Sequence, residues 1–381
     1  MSTRAKRSSP VDEFPTLERE TWLNHAAIAP WPHVVIEAMQ RFVVDNARRG
    51  PRAYRDWLTI EGQLRQRLAT LLGGVDPEDI AITENTSAGL NFVATGLDWR
   101  AGDRIVIPAG EFPSNRLPWI ALAERGIDVV EVDLPPEQPE SALINALDPR
   151  TRLMSVSAVR YDTGIRLDLE RLGAACRQGN VLFCVDAIQQ VGAMPIDPQG
   201  CGVDFLAAGA HKWLMCPEGI GFFWSSGEAR EQLHQTRHGW RMCSRPFDFD
   251  KSDWQPRHSA RRFEIGTLNT AGIHALHAAT GLILDYGPET IARSLLERIS
   301  HLYQALQTIE GIEITTPTDP ERRAGIISFC HSRHSPQRLF SALAERDIHA
   351  AVRGPQLRLS PHFYTPMDAL DRTLEVIAQM P

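Results

Sequence analysis

Short apolar segments alternate with helical patterns through most of this 381-residue chain, and this alternation constrains the fold more than any other feature. Strands are predicted at Ile80–Ile82, Arg104–Ile107, Ile127–Val132, Leu153–Val156, Val181–Val185, Val203–Ala208 and Gly219–Trp224. Helical spacing of apolar residues occurs near 34–48, 53–72, 86–97, 114–125, 139–147 and 168–178. Strands that alternate with helices form βαβ units, so the pattern predicts an α/β fold with a mostly parallel sheet covered on both faces.

The pattern changes after about residue 270, where two long helical stretches precede a group of short strands. The helices are predicted from about 274 and at 290–309, the strands near 312–315, 325–330 and 348–359, and further helices near 336–346 and 367–379. This order of elements favours a smaller α+β unit. We therefore expect an N-terminal arm at 1–20, a large domain at 21–270 and a small C-terminal domain at 271–381.

Composition and charge exclude several classes of protein. A net charge of −7 and an isoelectric point near 6.0 argue against a dedicated nucleic-acid binder, which normally carries a basic excess. No uncharged apolar run approaches the roughly 18–20 residues that span a bilayer, and the polar N-terminus lacks a secretory signal. The six cysteines are scattered without a CxxC pair, which predicts reduced thiols and no structural zinc. We expect a soluble, cytoplasmic protein.

Lysine is nearly absent, and this makes each remaining lysine informative. Arginine and lysine together number 40, yet the only lysines are Lys6, Lys212 and Lys251. An amine can lose its proton and attack a carbonyl, whereas a guanidinium effectively cannot. Lys212 alone follows an apolar strand and precedes another apolar stretch, so desolvation would lower its pKa and ready it as a nucleophile. The alternative is a lysine at a strand end with its tip in water.

Three polar features follow predicted strands and are expected at one edge of the sheet, where α/β proteins bind ligands. Thr86 and Ser87 open a helix, where their donors could bind a phosphate, and the alternative is simple capping of the helix by Asn85 or Thr86. Asp186 ends an all-apolar strand and needs a cationic or hydrogen-bonding partner. Together with Lys212, these residues provide the anion site, ring-nitrogen acid and Schiff-base amine that pyridoxal 5'-phosphate requires.

Other chemistries have weaker support in the sequence. His234 and His238 are four residues apart, but no HExxH motif surrounds them and the segment is not clearly helical. Cys330, His331 and His334 form no better zinc pattern, so we expect no metal site. The chain also lacks a GxSxG elbow, a Walker loop and a GxGxxG fingerprint.

The stretches VDAIQQVGAMPID and GVDFLAAGAHKWLMCPEGIGFFW resemble the class V aminotransferase superfamily, which includes cysteine desulfurases, isopenicillin N epimerase-like proteins and kynureninases. LNHAAIAP, ITENTSAGLNFVA, EFPSNRLPW and RRFEIGTLNTAGI match the same superfamily in order and spacing, so the resemblance covers roughly residues 20–365. It implies the PLP fold type I, with a seven-stranded type of sheet in the large domain. It also implies a homodimer in which each active site is completed by the partner.

The resemblance carries specific roles over to this chain. Lys212 would hold the cofactor and move the Cα proton, and Arg358 would clamp the substrate carboxylate. The cofactor-binding set would be Thr86, Ser87, Phe112 over the ring, Asp186 on the pyridine nitrogen, Gln189 on the ring hydroxyl, His211, Lys212 and, from the other subunit, Gly266 and Thr267. Asn24 and His25 would border the substrate pocket.

Three departures from the superfamily bear on the reaction. Phe112 stands where desulfurases place a histidine, Gly209 replaces a serine of the phosphate site, and Ala158 replaces a frequent asparagine. The stretch 349–356 before Arg358 contains no cysteine that could accept sulfur. The resemblance thus implies an enzyme acting on an α-amino acid through an external aldimine and Cα deprotonation, leaning towards β-elimination by a C–S lyase. The alternatives are a class V aminotransferase, an epimerase, or a non-catalytic binding protein with this fold.

Overall fold

The computed structural model describes residues 10–250 and 253–380 of the chain. Its central element is a seven-stranded sheet whose strands are Ile80–Thr83 (β2), Arg104–Pro108 (β3), Asp128–Val132 (β4), Thr151–Ser157 (β5), Leu182–Asp186 (β6), Phe205–Gly209 (β7) and Gly221–Ser225 (β8). The spatial order is β2-β8-β7-β6-β5-β3-β4, and every pair is parallel except the two that involve β8. The predicted mostly parallel sheet is confirmed.

The central strands β7 and β8 are buried along their whole length, because helices cover both faces of the sheet. All five residues of β7 and all five of β8 are buried. Helices of the large unit cover the faces: His33–Arg49 (α1), Tyr54–Leu71 (α2), Thr86–Gly96 (α3), Leu117–Ile120 (α4), Pro139–Asn145 (α5), Leu169–Gln178 (α6) and Gly227–Glu231 (α7). Two hydrophobic clusters, one on each side of the sheet, join these helices to the strands.

The helix predicted over 114–125 is interrupted. The segment consists of a 3₁₀ turn at Pro113–Asn115, the single helical turn α4, and another 3₁₀ stretch at Ala121–Arg125. Pro113 and Pro118 explain the difference, because proline lacks the backbone N–H that continues an α-helix and restricts the residue before it. The region 228–262, expected to be rich in loops, contains only the end of α7 and short 3₁₀ turns among its described residues.

The C-terminal elements form an α+β unit, as expected. The helices are Thr270–Tyr286 (α8), Pro288–Leu306 (α9), Pro336–Ala344 (α10) and Met367–Ala378 (α11). The strands are Ile312–Ile314 (β9), Ile327–His331 (β10), Ile348–His349 (β11), Ala351–Arg353 (β12) and Gln356–Leu359 (β13). An antiparallel sheet of order β12-β13-β10-β9 packs its buried side chains against α9 and α11.

The packing supports boundaries for the large domain that differ from the expected ones, and we give them as a proposal. Ile273, Leu276 and Ile283 of α8 belong to the core of the large unit, so α8 continues that unit beyond residue 270. The short strand Thr21–Trp22 (β1) pairs in parallel with β11, which attaches the start of the expected large domain to the C-terminal unit. We propose a boundary at Gly287, which separates α8 from α9 and has a φ of 85°.

The described part of the expected N-terminal arm is packed against the rest of the protein. Phe14 is fully buried and its ring stacks on Tyr364 at a centroid distance of 3.4 Å. Residues 1–9 of the arm lie outside the described residues. Burying an aromatic ring of this size stabilises the contact by about 1.5–3 kcal/mol, which holds the segment before β1 in place.

Candidate active site

The carboxyl ends of β5, β6 and β7 form the floor of the site. Ser157 ends β5, Asp186 ends β6 and Gly209 ends β7, and the register places Ser157 directly opposite Asp186. The chain then continues from β7 to His211 and Lys212 before it returns as β8. Parallel strands bring their carboxyl ends to one edge, and this is how residues distant in sequence come to share a site.

Asp186 and Lys212 are both buried, with exposed fractions of 2% and 8%. Burial raises the pKa of Asp186 to about 6, although the charge of Lys212 acts in the opposite direction. Burial likewise lowers the pKa of Lys212 to about 8, against the attraction of Asp186. Desolvation therefore outweighs the mutual attraction at both groups, and each is displaced towards its neutral form.

The residues present fit pyridoxal phosphate, because its ring nitrogen would offer a cation to the buried Asp186 and its aldehyde would react with the Lys212 amine. A protonated ring nitrogen beside Asp186 would offset the cost of burying that carboxylate. The Asp186 carboxylate accepts a hydrogen bond from the Ile188 backbone N–H at 3.0 Å, which fixes one oxygen and leaves the other for a ring nitrogen. Because the pKa of Lys212 is lowered to about 8, the neutral amine that reacts with an aldehyde is far more populated near pH 7 than in an ordinary lysine.

A close approach between two loops fixes Lys212 relative to Asp186. Gly192 follows the Asp186 strand with a φ of 94°, and a Cβ added there would lie 2.5 Å from the carbonyl oxygen of Trp213. Only glycine accommodates both the left-handed backbone and this contact. Gln189 strengthens the junction, since its Oε1 accepts from Trp213 Nε1 at 2.8 Å and its Nε2 donates to the Ala26 carbonyl at 3.0 Å. Its predicted contact with a ring hydroxyl stays a prediction.

The N-terminus of α3 lies beside the end of β7. Asn85 is the capping residue, and its side chain accepts from the Ala88 N–H at 2.9 Å. Thr86 Oγ1 accepts from the Gly209 N–H at 2.8 Å, while the Ser87 hydroxyl donates to the Ser114 hydroxyl at 2.8 Å. Asn85 thus caps the helix, which leaves the Thr86 and Ser87 hydroxyls with further hydrogen-bonding capacity for a phosphate.

Phe112 and His211 flank the amine. The Phe112 ring is 40% exposed, and the Lys212 ammonium lies 5.5 Å from its centroid. The ring also meets Tyr161 edge to face at 5.3 Å. His211 is half-buried, and burial together with the charge of Lys212 lowers its pKa, so its ring is mostly neutral at pH 7. An exposed aromatic face beside the reactive amine is the arrangement expected of a residue that stacks on a cofactor ring.

Arg358 on β13 is the strongest candidate for binding a carboxylate. Its Nη1 donates to the Tyr161 carbonyl at 2.6 Å and its Nη2 donates to Asn24 Oδ1 at 3.3 Å. Its Nε is buried without a hydrogen-bond partner. Burial and the nearby charge of Arg353 lower the pKa of Arg358 to about 9. An anion would relieve both the repulsion between the arginines and the cost of burial.

His25 lies in the protein interior between Ser360 and Tyr364. It is fully buried, its Nδ1 lies 2.9 Å from the Ser360 carbonyl and its Nε2 lies 2.6 Å from the Tyr364 hydroxyl. Burial lowers its pKa to about 4, so the neutral ring donates from Nδ1 and accepts at Nε2. Both ring nitrogens are thus occupied within the protein, which favours a supporting role, and the expected position of His25 at the border of the substrate pocket stays a prediction.

Gly266 and Thr267 lie at the surface, Thr267 exposed and Gly266 with open space where a Cβ would point. Their expected contact with a neighbouring subunit stays a prediction.

Three residues near the site, Glu111, Tyr161 and Arg353, carry no recognisable functional motif in the sequence. Glu111 is a buried carboxylate beside Phe112, Tyr161 holds Arg358 through its carbonyl, and Arg353 acts on Lys212 and Arg358 by charge. Only Glu111 has a local pattern that could have indicated a role in the site, since it stands next to Phe112 shortly after an apolar strand. The other two act through backbone or long-range contacts that the sequence alone does not display.

The lowered pKa of Lys212 predicts how its reactivity depends on pH in cofactor-free protein. The neutral amine reacts, so acylation of Lys212 should rise with pH and level off above about 8. In the chain unfolded by denaturant, the rate should keep rising towards the ordinary value of 10.5. Peptide mass spectrometry after short exposure to acetic anhydride measures both profiles. Coincident profiles would show that the folded protein does not perturb this amine.

Comparison with known proteins assigns the family. Residues 21–359 match the family described as aminotransferase class-V. A probable cysteine desulfurase of Methanothermobacter thermautotrophicus is 30% identical, with 97% of each chain covered. The isopenicillin N epimerase of Streptomyces clavuligerus is also 30% identical, with 83% of each chain covered.

Solved structures agree with this assignment. The cystine C–S lyase C-DES, in complex with its reaction product cysteine persulfide, superposes with a TM-score of 0.90 at 28% identity. That comparison covers 97% of this chain and 100% of the lyase. A C-DES variant with glycine covalently linked to its PLP cofactor gives the same TM-score at 27% identity, covering 97% and 99% of the two chains. The expected PLP fold type I, cofactor and enzyme class are confirmed, and the chain belongs to the class-V aminotransferase family of PLP-dependent enzymes.

Proposed function

We propose that this enzyme is a C–S lyase that releases sulfur from cystine, or from a similar disulfide amino acid, by β-elimination. The observation that carries the proposal is the tight hairpin between β12 and β13. Arg353 pairs with Gln356, so only Gly354 and Pro355 connect the strands, and Gly354 has the left-handed φ of 56° that such a turn needs. A two-residue turn has no room for a mobile loop bearing a sulfur-accepting cysteine.

The cysteines of the chain are poorly suited to accept sulfur. Cys330 lies in β10, which is paired on both sides, and its thiol lies 3.4 Å from the Pro355 carbonyl. Burial and Glu313 raise the pKa of that thiol. Cys243 is half-buried, and its backbone bridges to Pro256. The remaining thiols are Cys176, Cys184, Cys201 and Cys216, whose pKa values are raised by burial. Sulfur therefore leaves on the substrate fragment, because a raised thiol pKa disfavours the thiolate.

Two arginines favour a substrate with two acidic groups. Arg358 is held by Tyr161 and Asn24 to receive the α-carboxylate through a two-point contact. Arg353 lies at the hairpin, and its charge lowers the pKa of both Lys212 and Arg358, which puts a second cation within electrostatic range of the pocket. Cystine has a second carboxylate at its far end, which Arg353 would bind. The likeness to a solved cystine C–S lyase supports the same substrate class.

Lys212 performs the proton transfers in this proposal. Bound pyridoxal phosphate supplies an electron sink that makes the substrate Cα–H bond acidic. The Lys212 Nζ would take the Cα proton, since the Phe112 ring, whose centroid lies 5.5 Å from that atom, carries no proton-transferring group. Asp186 would hold the ring nitrogen, and Thr86 and Ser87 at the start of α3 would hold the phosphate. The proton held at Lys212 Nζ would pass to the leaving persulfide, so that cystine and one water give cysteine persulfide, pyruvate and ammonia.

Substrate preference tests the role of Arg353. With cystine as substrate, the purified enzyme should release pyruvate, and Arg353→Gln should lower kcat/KM about 10-fold or more, as expected for losing a charged hydrogen bond. With S-methylcysteine, which has a single carboxylate, the same substitution should change kcat/KM by less than about twofold. Equal losses for both substrates would contradict a contact to the second carboxylate. Arg372→Gln, which alters an exposed arginine of α11 that pairs with Asp368, is the matched control.

An epimerase is the second candidate, because a relative named isopenicillin N epimerase is 30% identical over 83% of the chain. Lys212 would then return the proton to the opposite face of Cα, with the side chain intact. Release of pyruvate from cystine distinguishes elimination from epimerisation and from transamination, which would yield a keto acid that keeps its side chain. A protein that turns over none of these substrates would support the binding-protein alternative.

We propose a homodimer, supported by exposed apolar residues that a lone chain would leave in water. Phe247, Phe249 and Trp254 are 54%, 72% and 51% exposed, and Trp240 packs against the first two. Together they form an aromatic surface in the 238–255 segment, whose residues 251–252 lie outside the described ones. Clusters of exposed aromatic side chains are typical of interfaces. The surface position of Thr267 fits a residue that reaches a neighbour's phosphate.

Subunit complementation tests whether each site is shared. Lys212→Ala removes the amine, and Thr267→Glu places a negative charge at the predicted phosphate contact, so each homodimer should be inactive. After mixed refolding, random dimers should contain about one quarter intact sites, each combining Lys212 of one chain with Thr267 of the other. Recovered activity near that fraction supports the shared site. A Thr267→Glu protein with full activity by itself would contradict it.

No helix among the described residues is long and apolar enough to cross a bilayer. We further propose that the enzyme acts in the cytoplasm on a small amino-acid substrate, without a nucleic-acid partner. All six cysteines are free, as a reducing compartment favours.

A further inference from the structure

Glu111 is a buried carboxyl group in the loop between β3 and α4, and it bridges this loop to the end of β5. Its exposed fraction is 5%. One oxygen accepts from the Ser157 backbone N–H at 2.7 Å, and the other accepts from the Ser157 hydroxyl at 2.6 Å. The second oxygen also accepts from the Phe112 backbone N–H at 3.2 Å. Three donors thus converge on one carboxyl group, although 46 residues separate Glu111 from Ser157.

Arg160, which follows β5, also binds the loop that carries Glu111. Its guanidinium donates to the carbonyls of Ala109 at 2.8 Å and Gly110 at 3.2 Å, the residues just before Glu111. Asp162 anchors the guanidinium at 2.7 Å. The loop before Phe112 is therefore held to β5 from both directions, and small movements of the loop would break charged hydrogen bonds.

The residues on either side of this connection are the ones proposed to contact the cofactor ring. Phe112 follows Glu111 directly, and its exposed ring meets Tyr161 edge to face and lies beside the Lys212 amine. Ser157 pairs with Asp186 in the sheet, and the Ala158 N–H donates to the Asp186 carbonyl at 2.9 Å. Glu111 consequently connects the stacking residue to the strand pair that carries the ring-nitrogen acid.

The charges around Glu111 make the ionisation of its carboxyl group sensitive to what lies beside Asp186. Burial and the charge of Asp186 raise its pKa to about 7, while the Ser157 hydrogen bonds and Arg160 lower it. The negative charge of Asp186 disfavours ionisation of Glu111. A cationic ring nitrogen beside Asp186 would weaken that repulsion, so binding of the cofactor and ionisation of Glu111 favour each other.

Resting on the proposed roles of Phe112 and Asp186, we propose that Glu111 is a positioning residue that fixes the Phe112 ring relative to the Asp186 strand and so sets how the cofactor is stacked. It touches neither cofactor nor substrate. Its carboxylate needs the Ser157 and Phe112 donors together, which an isosteric amide cannot accept equally because one of its two groups is a donor.

Two variants and a matched control test this role. Glu111→Gln should weaken binding of pyridoxal phosphate about 10-fold and change the visible circular dichroism of the bound cofactor, which reports ring orientation. Ser157→Ala, which keeps the backbone donor, should have a smaller effect in the same direction. Glu140→Gln alters another fully buried carboxylate, which pairs with Arg322 at 2.8 Å and accepts from the Asp168 N–H. It should lower the Tm without changing cofactor affinity or dichroism.

The pH titration of the cofactor's visible absorption gives a second readout. Its midpoint should shift in Glu111→Gln, which lacks the ionisable group, and should stay in place in Glu140→Gln. If Glu111→Gln binds the cofactor with wild-type affinity, dichroism and titration midpoint, the positioning role is wrong. If the wild type itself binds no cofactor at Lys212, the proposed site fails instead, so the two failures are distinguishable.

Discussion

The cost of burying Asp186 and Lys212 at the carboxyl edge of the sheet is the constraint on which the rest of the site depends. Their mutual attraction is smaller than the desolvation each suffers, because the pKa of Asp186 is raised to about 6 and that of Lys212 is lowered to about 8. The surrounding structure maintains this arrangement through the Gly192 contact with Trp213 and the hydrogen bonds of Gln189. A cofactor with a cationic ring nitrogen would stabilise the buried Asp186 carboxylate, and its aldehyde would react with the Lys212 amine.

The C-terminal unit contributes Arg358 to the proposed site. Arg358 on β13 is held by the Tyr161 carbonyl of the large unit and by Asn24, whose backbone bridges to Ser360. The hairpin that carries Arg353 is too short to bear a sulfur-accepting loop. This short hairpin leaves no room for a sulfur-accepting cysteine, and it also carries Arg353, the second arginine near the proposed pocket. One feature thus bears on both the proposed reaction and the proposed substrate.

Much of the fold could be predicted because buried parallel strands read as continuous apolar runs, as in β6 and β7. Lys212 and Asp186 were also recognisable, since each is a charge placed against an apolar strand. The domain boundaries were less accessible: α8 looks like the start of a new unit, and only its packing against α1 and α2 assigns it to the large one. The role of Glu111 could not be predicted from the sequence, because it depends on a contact with Ser157. Only the pairing of β3 with β5 brings these two residues together.

We propose that sulfur leaves this site on a small molecule and never on the protein. This can be measured by intact-protein mass spectrometry of the enzyme during turnover of cystine, quenched with a thiol-alkylating reagent. Cysteine persulfide should appear in solution, and the protein mass should correspond to alkylated thiols without added sulfur. A protein mass increased by one sulfur atom, mapped to Cys330, Cys243 or any other cysteine, would show that the protein accepts sulfur and would refute this proposal.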